Sequence, residues 1–203
     1  MKILAIGRNY AAHIAELKNE RPSEPVIFTK PDTALLKNNE PFYYPDYTRD
    51  IHFECELVIK ICKEGKNIAP EFAERYFNAI GLGIDFTARD LQQKAKEKGL
   101  PWAVAKGFNG SAPVSEFVPV TTYEDLANLN FSLLVNGEEK QKGNTASMLW
   151  NFKEIIAWVS RFFTLKKGDI IFTGTPAGVG PVKAGDHLQG FIEDRIFLDF
   201  EVK

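Results

Sequence analysis

The chain has 203 residues, 44% of them hydrophobic, and a formal net charge of -2. That length and apolar share suffice for one sizeable buried core, so a single catalytic-sized domain over 1–203 is the default expectation. The near-neutral charge, with no basic stripe, argues against a nucleic-acid partner, and no apolar run approaches the roughly 20 residues of a membrane-spanning helix.

The opening residues Met1 to Ile6 are apolar but stop at Gly7-Arg8-Asn9. This reads as a first strand over 2–6 rather than a secretory leader, and a cytoplasmic location is expected. The segment 10–18 favours helix through its Ala, Leu and Glu, which sets His13 and Glu16, three residues apart, side by side on one face. A polar stretch with Pro22 and Pro25 follows, so 10–20 is expected to form a lid helix over a site. Further strands are expected over 26–29, 53–62, 79–84, 131–135, 170–173 and 191–202. Asn136-Gly137, flanked by Leu133-Leu134-Val135 and Glu138-Glu139-Lys140, is a two-residue hairpin signal.

Helices are fewer. One is expected over 70–77, and one opens at a Thr87/Asp90 capping pair and runs to about Lys98. A third covers 151–163, where Ile155, Ile156, Val159, Phe162 and Phe163 share a face. Strands at irregular spacing, without βαβ alternation, predict an α+β, β-rich fold: a mixed β-sandwich or roll with a few peripheral helices. Cys55 and Cys62 are the two cysteines. Their spacing fits no zinc pattern, and two reduced thiols are expected.

The chemistry-bearing residues concentrate in three stretches. Glu54 and Glu56, two apart in a strand-forming run, point to the same side. Asp85 ends the apolar run 79–84. Three acids from two strands offer the oxygen ligands of a hard cation such as Mg²⁺. With one divalent cation that shell would still carry about -1, and a unit charge 4 Å away is worth about 4 kcal/mol at an effective dielectric near 20. An anionic substrate therefore needs further cations, for which Lys106, Arg8 and Lys30 are the candidates. The stretch from Thr173 to Gly180 is glycine-rich, but it lacks a Gly-Lys-Ser/Thr ending and is interrupted by Pro176, so it is no nucleotide loop. It reads as a turn bringing backbone N–H groups and the Thr175 hydroxyl near a carboxylate. His52, beside the acids, and His187, after a Gly-Asp turn, are read as structural or solvated.

Together these residues carry a resemblance. Gly7-Arg8-Asn9-Tyr10 with His13, Phe28-Thr29-Lys30-Pro31, Glu54-x-Glu56-Leu57 and Asp85-x-Thr87-Ala88-Arg89-Asp90-x-Gln92 come first. Pro101-Trp102 with Ala105-Lys106, Pro113-Val114, the run from Gly168 to Pro176 and Gly178-Val179-Gly180 follow in order. The chain resembles the fumarylacetoacetate hydrolase family, most closely its small single-domain branch of acylpyruvate hydrolases and oxaloacetate decarboxylases. The resemblance implies Glu54, Glu56 and Asp85 as ligands of Mg²⁺ or Mn²⁺, Lys106 as the active-site lysine, and His13 with Glu16 as a dyad on the lid helix. It also implies Thr175 in a loop that contacts the substrate carboxylate, Arg89 and Gln92 as polar residues beside the site, and a homodimeric β-rich roll.

On that footing the expected activity is metal-dependent cleavage of acylpyruvate-type 2-oxo acids, in which His13 activates water and pyruvate leaves as its enolate. Oxaloacetate decarboxylation reaches the same enolate without water. Isomerisation of an unsaturated 2-hydroxy diacid such as 2-hydroxyhepta-2,4-diene-1,7-dioate is an alternative, and a non-enzymatic binder of 2-oxo acids is another.

Overall fold

The structure, a computed structural model, describes residues 1–17 and 20–203. In chain order the first elements are β1 (Ile3–Gly7), α1 (Ala11–Glu16), β2 (Val26–Lys30), β3 (Leu35–Leu36), β4 (Ile51–Phe53), β5 (Cys55–Ile61) and β6 (Phe77–Ile84). Next come β7 (Thr87–Ala88), α2 (Arg89–Lys98), α3 (Ala103–Lys106), β8 (Ala112–Pro113), β9 (Val118–Pro119), β10 (Asn130–Val135) and β11 (Glu138–Asn144). The last are α4 (Phe152–Phe162), β12 (Ile170–Phe172), β13 (Gly180–Pro181), β14 (His187–Ile192) and β15 (Arg195–Glu201). The fold is α+β and strand-rich with few helices, as expected.

A six-stranded sheet in the order β2-β1-β12-β5-β6-β9 forms the centre, and a four-stranded sheet, β11-β10-β14-β15, packs with it. The pair β1/β12 is parallel and the other pairs of the large sheet are antiparallel. Period-two alternation sorts the core: Leu4, Ile6, Leu57, Ile59 and Ile61 join the main cluster, while Ile3, Ala5, Val58, Ile170 and Phe172 fill a smaller one on the other face. The helix expected at 151–163 is α4. Asn151 accepts from the backbone N–H groups of Lys153 and Glu154, and Glu154 reaches back to the Asn151 N–H, a complete capping box.

Four expectations are corrected. The strand read as continuous over 53–62 is broken at Glu54: β4 pairs with β13 and β7, and β5 belongs to the large sheet. The strand read over 191–202 is a hairpin, β14 to β15, turning at Glu193, whose φ of 48° lets a non-glycine make the bend. The helix at 70–77 is a 3₁₀ helix over Pro70–Tyr76. The Thr87/Asp90 capping pair does not form, because Thr87 Oγ1 donates to Asp85 O while Asp90 accepts from Thr48 Oγ1 and the Leu91 N–H. The expected helix 10–20 is α1 alone; Lys18 and Asn19 lie outside the described residues. The Asn136-Gly137 turn joins β10 and β11 with φ of 54° and 81°. Cys55 and Cys62 are free thiols. Among the described residues no helix is long and apolar enough to cross a membrane.

Candidate metal centre and active site

Sheet register brings the acids together. Cys55 pairs with Ile84 in the antiparallel β5/β6 ladder, so the flanking Glu54 and Asp85 stand opposite each other, and the Asp85 N–H donates to Glu54 O at 2.8 Å. Glu56, two residues on from Glu54, shares its side. The three carboxylates are 5%, 2% and 1% exposed for Glu54, Glu56 and Asp85, and each offers an oxygen within 4.8 Å of the others. On the other flank of β5, Phe172 of β12 pairs with Val58, which carries Gly174 to the level of Glu56. The Gly174 N–H donates to Glu56 Oε2 at 2.7 Å. The glycine-rich turn thus meets a carboxylate, but it is the protein's own. Gly174 has a φ of 101°, and a Cβ there would lie 2.6 Å from Asn9 Cβ.

Three cations face the three acids. Lys106, at the end of α3, places Nζ 2.9 Å from Glu54 Oε2 and 2.6 Å from Asp85 Oδ2. Lys30, at the end of β2, places Nζ 2.7 Å from Asp85 Oδ1, outside hydrogen-bond alignment, and donates to the carbonyls of Lys106 and Ser111 and to Ser111 Oγ. Arg89, opening α2, pairs Nη2 with Glu54 Oε1 and gives Nη1 to Gln92 Oε1 at 3.0 Å. Burial alone would lower Lys106, but Asp85 and Glu54 outweigh it and the group is raised above an ordinary lysine. Lys30 is lowered by burial, only partly countered by Asp85. Burial would raise Glu54, yet Lys106 and Arg89 prevail and hold it low, whereas burial, Asp85 and Glu54 together push Glu56 well above the carboxylate range. Tyr10 is raised too, by burial first and Glu56 next.

His13 and Glu16 are paired on α1. His13, 5% exposed on α1, has Nδ1 3.2 Å from Glu16 Oε2, and Glu16 Oε1 accepts from the Gly178 N–H at 2.9 Å. His13 is near enough to bear on the Glu54 charge. Arg8 follows β1 with a left-handed φ of 60°, a conformation that non-glycine residues hold where the surroundings impose it.

Two sequence expectations change in detail. Lys30 has 0% side-chain exposure, and its hydrogens go to the Lys106 and Ser111 carbonyls and Ser111 Oγ with Asp85 alongside, so it braces the loop that carries Lys106. The Thr175 hydroxyl donates to Cys55 O at 2.8 Å and accepts from Gln141 Nε2 at 2.8 Å, which places it in the wall behind the acids. Gln141 was not anticipated. Buried on β11, it also accepts from the Cys55 N–H and donates to Pro176 O, locking the strand break to the glycine-rich turn. An isolated glutamine in a charged strand gives no sign of this. His52 turns to Asp50 Oδ1 at 2.9 Å, and His187 pairs with Asp199 at the surface. A cavity of about 860 Å³ lined by Tyr123, Leu126, Met148 and Phe152 contains none of the site residues.

The donor set is all carboxylate oxygen, which suits a hard divalent cation and leaves positions for other ligands. Three buried carboxylates with oxygens within 4.8 Å of one another fit such a metal. Beside them the buried Arg89 Nε, a donor, has no hydrogen-bond partner, a deficit of about 1–3 kcal/mol that an anion would satisfy.

The family model for the fumarylacetoacetate (FAA) hydrolase C-terminal region matches residues 2–200. The chain belongs to the fumarylacetoacetate hydrolase family. Within it the chain is 45% identical to a mitochondrial oxaloacetate tautomerase of Bos taurus, an alignment covering 99% of this chain and 91% of that protein. It is 46% identical to a mitochondrial oxaloacetate decarboxylase of Dictyostelium discoideum, covering 93% and 87%. The structure superposes on a fumarylpyruvate hydrolase of Pseudomonas aeruginosa in complex with Mn²⁺ and pyruvate with a TM-score of 0.94 at 36% identity, covering 100% of this chain and 89% of that one.

Proposed function

We propose that the chain is a divalent-metal-dependent enzyme acting on oxaloacetate and related 2-oxo acids through their enol forms, with interconversion of enol and ketone as the primary reaction. The observation that carries this reading is Lys106 Nζ, fixed between Glu54 and Asp85 at 2.9 and 2.6 Å inside a buried acid trio. Glu54, Glu56 and Asp85 would hold Mg²⁺ or Mn²⁺, which would polarise the carboxylate and keto oxygens of a 2-oxo acid. An ammonium has three N–H donors and Lys106 uses two on the acids, so the third is available to the oxygen on C2. The unpaired Arg89 Nε suits the adjacent carboxylate.

Going from enol to ketone, the 2-hydroxyl loses a proton and C3 gains one. A proton on His13 Nδ1, held by Glu16, would leave Nε2 as the base that takes the 2-hydroxyl proton and returns it to C3, the reverse direction running the same transfer backwards. Decarboxylation of oxaloacetate needs the same stabilised oxygen at C2. Names of the curated relatives, tautomerase and decarboxylase of oxaloacetate, support the substrate class.

A second reading, hydrolysis of acylpyruvates, is favoured by the anchoring of Glu16 on the Gly178 N–H, which holds His13 as a water base should. One experiment separates them. With oxaloacetate, the enol absorbance should decay faster with enzyme than without, pyruvate release should lag, and EDTA should abolish the acceleration. Pyruvate release from acetylpyruvate at a higher kcat/KM than turnover of oxaloacetate would instead establish the hydrolase. No turnover of either substrate would overturn both readings.

A further inference from the structure

We infer that Lys96, on the rim of the site, receives the second carboxylate of a dicarboxylic 2-oxo acid and makes the site select diacids over monoacids. The inference rests on the 2-oxo acid reading above and specifies the tail that such a substrate carries. Along α2, Arg89, Gln92 and Lys96 recur at i, i+3 and i+7, which puts them on one face of the helix. The first two already serve the acids, Arg89 on Glu54 and Gln92 on Arg89. Lys96 lies about 10 Å further along the axis.

An aromatic wall connects it to the buried lysine. Lys106 Nζ stands 5.0 Å from the Phe28 ring centroid, Phe28 meets Trp102 edge-on at 6.0 Å, and Lys96 Nζ lies 5.9 Å from the Trp102 centroid. Both ammonium groups therefore flank one apolar surface, one inside and one exposed. Among the described residues no carboxylate forms a salt bridge with Lys96. Its surroundings are predominantly positive: burial, then Arg8 and Arg89, lower it below an ordinary lysine, with Glu54 a smaller opposing influence. A cation in that company, without an acid of its own, is placed for an anion from outside.

Charge balance points the same way. Lys106, Lys30 and Arg89 equal the three acids of the cluster in number, so with all three acids ionised a divalent cation leaves the centre doubly positive. A monocarboxylate cancels half of that excess and a dicarboxylate all of it. With one carboxylate and the C2 oxygen engaged at Arg89 and Lys106, the remaining carboxylate extends along the Phe28–Trp102 wall to Lys96.

Malate and lactate test this, being unreactive 2-hydroxy acids that differ by the second carboxylate. Calorimetric titration of the Mg²⁺-loaded protein should show wild type preferring malate. Lys96→Ala should weaken malate by roughly ten-fold, the scale of one charge-assisted hydrogen bond, with lactate unchanged. Lys96→Arg should retain the preference, and so should Lys98→Ala, which removes the same charge elsewhere on the helix. With oxaloacetate, Lys96→Ala should raise KM and leave kcat nearly constant. An unchanged malate-to-lactate ratio in Lys96→Ala overturns the proposal, as does an equal loss in Lys98→Ala or a wild type that does not prefer malate. The titration needs no turnover: a wild type inert toward oxaloacetate defeats the activity proposed above, while the affinity ratio still decides Lys96.

Discussion

Lys106 sits where two carboxylates converge, and its removal shows what such a group does. Taking two or more charges out of water costs several kcal/mol per ion, offset here because Glu54 and Asp85 each meet two cations. Lys106→Met would leave Glu54 relying on Arg89 and Asp85 on Lys30. The expected outcome is a loss of about 3–5 kcal/mol in denaturant-derived stability of the metal-free protein, together with near-complete loss of oxaloacetate turnover. Unchanged stability would mean that the cluster is not held by this pair. At this scale the sequence was informative where residue type and parity carry the chemistry, as at Glu54, Glu56, Asp85 and Lys106. It was uninformative where a residue acts through distant partners. Lys30 and Gln141 hold loops more than thirty residues away, and no local pattern announces which carbonyl a side chain will find.

At the scale of elements, α4 was legible because its cap and its apolar stripe lie within one short window. The break at Glu54 was not. Phe53, Cys55 and Leu57 continue a period of two through it, while the change of sheet depends on partners from β13 and β12. The turn between β14 and β15 was missed for a related reason, since Glu193 takes a left-handed φ without a glycine to mark it. The link between α1 and the glycine-rich turn passes through Gly178, whose φ is 97° and where a Cβ would come 2.1 Å from Lys140 O. Gly178→Ala should therefore displace the turn, release Glu16 and cost about 1–3 kcal/mol of stability. His13-dependent cleavage of acetylpyruvate should fall further than metal affinity does. Thermal melts and kcat on acetylpyruvate check this, and equal losses in metal binding and cleavage would place the fault in the acid trio instead.

Across the whole molecule, the parallel pair β1/β12 joins the start of the chain to its last third, and Asp169 fastens that joint. Its carboxylate accepts from the Lys2 N–H at 2.7 Å and the Lys166 N–H at 2.8 Å, and Lys2 Nζ lies 2.5 Å away. Burial would raise this carboxyl, but those bonds outweigh it and hold it below its ordinary value of 3.8. A depressed folded-state value means the stabilisation is complete above the unfolded value and is lost as pH falls through the folded one. Asp169→Asn should lower the Tm at neutral pH, and the gap to wild type should narrow as pH drops below about 4. A gap that stays constant across the acid range would show that the carboxylate charge contributes nothing.

Lys30, Lys106 and Arg89 already pair with Glu54 and Asp85, and the Gly174 N–H caps Glu56, so the acid cluster has partners of its own before any ion arrives. On the metal-dependent reading proposed above, loading would be a late, reversible event in an already assembled molecule, and supply of the ion would set output while leaving the abundance of the protein alone.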